Sequence, residues 1–232
     1  MSKPFSISTF LLALLAGICM AQEKREQVSL QFVTFPKWTT REPIQMVIGE
    51  GEILEFTAPS NSFSKPYQVP KLSSWVFGRM GQNEKGDPIF ETFGRGKALG
   101  SKSQLILLIR LGKEAKDGLK VIALDSQLGQ FDGGQFFYYN TSTFDIGGMM
   151  GKSKFLLKPG EYRTIKPNPE DIMVKEGQSF VQTVHLYRKE EFSNPFFNST
   201  WHLNPKARSM IFFYQDNNQK RLKMHTIQDF LP

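Results

Sequence analysis

The side chains able to do chemistry are few, and their spacing works against it. Three histidines occur, His185, His202 and His225. None stands in an H-E-x-x-H, H-x-E or H-x-H arrangement that would put two ligands on one metal. No G-x-S-x-G elbow presents a serine nucleophile. Cys19 is the only cysteine, so thiol catalysis and Cys-ligated zinc are absent from everything that follows it. His185 and His202 are the pair that folding could bring together for acid–base or two-histidine metal work. His225, in an alternating stretch, reads as a half-buried structural ring. The acidic pairs Glu50 with Glu52, Glu170 with Asp171 and Glu190 with Glu191 would serve glycoside hydrolysis only if a cleft separated them correctly; otherwise they are solvated turn charges. Calcium needs more acids than Asp132 beside Gly133 and Gly134.

Recognition chemistry is better represented. Gly94 to Ser103 (GRGKALGSKS) has the composition of a phosphate cradle but neither of the phosphate-loop spacings, and it leads into a strand. It reads as a turn in which Arg95 and Lys97 could meet an anion beside a concave row of backbone N–H groups. Trp38, in a loop after Pro36, and Trp201, next to His202, are candidate stacking platforms for a sugar, whereas Trp75 in Ser74–Gly78 reads as core. The candidate ligand-binding set is therefore Trp201, His202, His185, Trp38, Arg95 and Lys97. No catalytic residue, metal ligand or cofactor motif joins it.

These residues hang on a chain that repeats itself at a distance of about 104 residues. Leu30–Phe35 returns as Gly134–Tyr139, Ile44–Leu54 as Ile146–Leu156 with Gly49 on Gly151, and Lys102–Ile109 as Lys206–Phe213. Leu119 then answers Leu222. A period this long means one domain fold used twice, since solenoid units recur every 20–50 residues or so. Between the turn signals lie short stretches rich in Val, Ile, Phe, Tyr and Thr, and no long stretch keeps a helical period. Leu105–Ile109 and Met210–Tyr214 are continuous apolar runs, which predicts strands buried on both faces. The fold expected is all-β: two tandem, internally repeated β-sandwiches of immunoglobulin-like size, over 22–127 and 128–232. The alternative is one larger β-structure whose copies share a core. The joint, Ser126–Gly134, is too short for a flexible tether, so the copies should touch and a ligand cleft is expected between them.

Residues 1–21 have the layout of an export signal: Lys3, an apolar Phe10–Ile18, and a small-residue cleavage site ending at Ala21. The rival is a retained anchor, for which Phe5–Ala21 is short. A cysteine-free body beyond it suits a bacterial periplasmic or surface protein large enough to need no disulfides. The net charge of +7 is scattered in twos and threes, so it speaks to solubility before it speaks to nucleic acid.

The blocks Ser74–Gly78, Phe93–Leu99 and Ile211–Asp216, with the ending His225–Phe230, resemble uncharacterised secreted proteins of verrucomicrobial-type bacteria over most of the chain. The resemblance implies bacterial export and assigns no residue a role. The functional expectation is an exported, non-catalytic binding or structural protein. Its partner would be a glycan, an anionic cell-envelope polymer or another envelope protein, and not nucleic acid. The alternatives are a polysaccharide-acting enzyme or a carbohydrate-binding module with its site between the repeats.

Overall fold

A computed structural model describes residues 26–37, 43–112, 115–127, 131–175, 179–188, 194–215 and 221–231. The expected export signal and Trp38 lie outside them. The described residues form strands and two short 3-10 turns. The first copy supplies β1 (Gln27–Phe35), β2 (Ile44–Gly49), β3 (Glu52–Phe56), β4 (Tyr67–Pro70), β5 (Ser74–Gln82), β6 (Pro88–Lys97), β7 (Ser103–Arg110) and β8 (Leu119–Asp125). The second supplies β9 (Phe136–Asn140), β10 (Ile146–Met150), β11 (Ser153–Leu157), β12 (Tyr162–Ile165), β13 (Met173–Lys175), β14 (Ser179–Arg188), β15 (Phe197–His202), β16 (Ala207–Gln215) and β17 (Leu222–Phe230).

Strand order makes the repeat visible. One sheet of the first copy runs β4-β1-β7-β8, with β1 parallel to β7; its counterpart runs β12-β9-β16-β17, with β9 parallel to β16. The other sheet runs β3-β2-β5-β6, answered by β11-β10-β14-β15. The additional strand β13 pairs with the start of β14, on the edge opposite β15. Each copy is thus a sandwich, and the chain is all-β. Register differs in one detail from the sequence matches. The turn of the first β2–β3 hairpin is Glu50–Gly51, that of the second is Gly151–Lys152, and β2 carries a bulge between Val47 and Gly49. That extra residue puts Leu54, rather than Ile53, in the first-copy position equivalent to Phe155: Leu54 pairs with Met46 as Phe155 pairs with Gly148.

The two sandwiches stack through their β1- and β9-containing sheets, giving four layers and three cores. Strand alternation explains how. On β7, Ile106 and Leu108 face the first sandwich, while Leu105, Leu107 and Ile109 face the junction. On β16, Ile211 and Phe213 face the second sandwich, while Met210 and Phe212 face the junction. A continuous apolar run is what a strand with a core on each side requires. Phe35 stacks on Phe212 across the junction at 4.3 Å between ring centres. Each such buried side chain stabilises by roughly 1.5–3 kcal/mol, so the junction is a core and not a hinge.

The rim of the junction is polar. Arg208, 2 % exposed, donates from Nε to Asp229 Oδ2 (3.0 Å), from one terminal nitrogen to the Phe131 carbonyl (3.2 Å) and from the other to Gln31 Oε1 in the first copy (3.3 Å). His225 Nε2 meets the Ser60 carbonyl at 3.3 Å, and Lys120 reaches the Gly160 carbonyl at 3.4 Å. His225 is thus a structural ring, packed beside Phe35 and Phe212.

Candidate functional site

Among the described residues, those singled out from sequence fall in two separate places, Arg95 and Lys97 on β6 and His185, Trp201 and His202 on β14 and β15. Arg95 and Lys97 lie on β6 and not in a turn; both are exposed. The glycines that alternate with them serve packing, because a Cβ on Gly94 would strike the Leu119 carbonyl and one on Gly96 would strike the Val121 side chain. Their absence of side chains lets β6 close against β8, and it points Arg95 and Lys97 outward by alternation. No anion cradle forms there. Trp201 is packed and partly buried, its ring centre 5.2 Å from Phe136, 6.1 Å from Phe197 and 6.5 Å from Tyr138. It is core material, not a free stacking platform. His185 pairs with Asn198 and His202 with Val181, so both sit on the outer face of one sheet, four ladder positions apart. At about 3.4 Å per residue that is roughly 13 Å, too far for a shared proton or metal. Among the described residues no three of His, Cys, Asp and Glu gather as a metal site.

The expected cleft between the copies is filled by the junction core. A concavity exists elsewhere, at one end of the second sandwich, with a volume of ≈ 260 Å³. It is lined by Lys166, Pro167, Pro169 and Ile172 of the β12–β14 connection, by Phe180 and Leu203, and by Gly133, Gly134 and Pro205. Each element has a local reason. Pro167 and Pro169 stop β12 and hold the chain in a 3-10 turn at Pro169–Asp171, capped by Asn168, whose side chain accepts from Glu170 N. Leu203 N donates to the Phe180 carbonyl at 2.7 Å, which fixes those two apolar side chains as neighbours. Gly133 runs so close to the Pro205 carbonyl that any Cβ would collide with it, and Gly134 has φ +75°. The lining is apolar apart from Lys166, which is exposed.

The corresponding end of the first sandwich is plugged. Gln104, fully buried, accepts from Trp75 Nε1 (3.0 Å) and Leu99 N (3.2 Å) and donates to the carbonyls of Leu99 (2.9 Å) and Ser101 (3.1 Å). These four bonds pin the loop after β6 over the core. The connection from β4 to β5 is residues 71–73 only, whereas that from β12 to β14 is residues 166–178. Residues of that longer connection build one wall of the pocket.

Inward of the pocket the polar bookkeeping also differs. Gln182 follows Phe180 on the same face of β14 and lies opposite Trp201. It is fully buried, and neither amide atom has a hydrogen-bond partner. The Tyr138 hydroxyl is likewise buried and unpartnered, and burial pushes its pKa well above the ordinary phenol range. The pocket residues were missed in the sequence because all but Lys166 are Gly, Pro or apolar types, and a single lysine carries no motif. The length difference between the two β4-type to β5-type connections, with its prolines, was the signal that could have found them. No protein-family model and no curated protein matches this chain.

Proposed function

We propose that this chain is an exported, non-catalytic binding protein whose ligand site is the pocket at the end of the second sandwich. The observation that carries the reading is the asymmetry of the repeat. The end that is pinned shut by Gln104 and Trp75 in the first copy is, in the second, a cavity walled by a longer connection. Binding sites collect on insertions held by a rigid scaffold, and the four-layer stack is such a scaffold. His185 and His202, the pair best able to do acid–base work, are held apart on one sheet face, which favours binding over reaction. Residues 1–21 act as the export signal in this reading, with the ligand drawn from the cell envelope.

Two measurements test it. Sequencing the mature N-terminus from a cell fraction should begin at or near Gln22 in an exported fraction; a cytoplasmic, full-length product would overturn export. Thermal-shift screening of envelope extracts against the wild type and Leu203→Trp, which fills the cavity, should return components that stabilise only the wild type. Equal stabilisation of both would remove the pocket from the proposal.

A further inference from the structure

We infer that the pocket takes a small anionic amphiphile, its apolar tail among Phe180, Leu203, Ile172 and the prolines and its anionic head on Lys166. This rests on the pocket being the ligand site. The lining excludes the sugar expected from sequence on chemical grounds. A glycan buries several hydroxyls, each needing a partner, and an unmatched one costs about 1–3 kcal/mol. Here the N–H groups of the two lining glycines are already taken, Gly134 N by the Ala207 carbonyl and Gly133 N by Asp132 Oδ1. What remains is an apolar wall with one cation. Lys166 makes no ion pair or hydrogen bond with a described residue. Asp171, the buried acid of the same connection, is occupied by Lys152, accepting from its backbone N at 2.9 Å and lying 4.0 Å from its ammonium. The ammonium on the rim is therefore available to an incoming anion, and its attraction grows beside apolar surface that excludes water.

Size narrows the tail. A dry cavity of about 150 Å³ holds benzene, and drug-sized ligands occupy about 300–1,000 Å³. At ≈ 260 Å³ the pocket suits one ring or a short alkyl chain. Prolines 167, 169 and 205 present rigid apolar surface that loses no side-chain entropy on binding, which favours a small ligand with little area to offer.

Calorimetric titration of the full chain with octanoate and with octan-1-ol separates the possibilities. Octanoate should bind once per chain, and more tightly than the alcohol. Lys166→Gln should weaken octanoate about tenfold and leave octan-1-ol unchanged, and Leu203→Trp should abolish both. Equal affinity for acid and alcohol, or an indifferent Lys166→Gln, would overturn the anionic class while leaving the pocket as a site. If neither probe binds, or both bind Leu203→Trp as well as the wild type, the pocket reading itself is wrong. Amide chemical shifts of the wild type need no folded variant. Octanoate should perturb 133–134, 166–172, 180 and 203–205, and perturbations confined to other residues would overturn the proposal.

Discussion

At one end of the first sandwich a buried glutamine spends all its hydrogen-bonding capacity on a tryptophan and a loop, and the loop seals the core. At the same end of the second, a buried glutamine makes no hydrogen bond, the tryptophan comes from the edge strand β15, and the space outside is a pocket. The long edges differ as well. In the first copy β6 closes on β8 through Gly94 and Gly96; the ladder positions answering these on β15 carry Phe197 and Ser199. Strand order is therefore a constraint both copies obey, whereas end-sealing and edge closure were free to diverge. A duplicated scaffold thus lets its copies diverge at ends and edges, and each keeps a few buried unpartnered polar atoms, Ser101 Oγ in the first and the Gln182 amide and Tyr138 hydroxyl in the second.

The comparison is broken most severely at the junction both copies share. Arg208→Met should destabilise by about 3 kcal/mol, the low end for breaking a buried pair, because Asp229 keeps 21 % of its side chain in water. Calorimetry should still show one transition; two separated transitions would mean that the sandwiches fold independently.

The two glutamines give the sharpest contrast. Gln104→Leu strands Trp75 Nε1 and the Leu99 and Ser101 carbonyls and should cost about 2–3 kcal/mol, whereas Gln182→Leu removes two unpartnered atoms and should be neutral or stabilising by about 1 kcal/mol. Urea midpoints at unchanged slope would measure both. Comparable losses at the two positions would end the distinction drawn here.

Edge closure should contribute somewhat less. Gly96→Ala forces β6 away from Val121 and should cost about 2 kcal/mol, as overpacking does, while Ser199→Ala in the open edge should change little. The smallest effect at neutral pH concerns Tyr138. Its folded pKa lies above the ordinary value of 10.0, so the folded state holds the proton longer than the unfolded one. Stability is fully present below pH 10 and falls as the pH rises beyond it. Tyr138→Phe should change neutral-pH stability little and flatten that alkaline decline, as followed by denaturation at stepped pH.

Much of the fold was legible, for reasons that particular strands show. β7 and β16 declared two buried faces by unbroken apolar runs. β4 and β13 went unread because four residues ending in Pro70, or three, carry no period. The end of β6, Gly94–Lys97, was mistaken for a turn because its glycines answer a neighbouring strand 25 residues later in the chain, and local rules see only the missing side chains. The candidate site was not legible from residue types at all.

What the sequence determined by itself is the class of object: two copies of one β-fold, each with a strand apolar on both faces, joined too closely to swing apart. Those properties follow from periods and lengths, which are local. Tertiary structure alone decided that the junction is solid, that Trp201 is packed while Arg95 and Lys97 are exposed on a strand, and that a cavity lies at one end of the second copy. Cavities and contacts depend on which side chains arrive from distant strands to fill a given volume, and that sum of shapes is written in no single stretch of the chain.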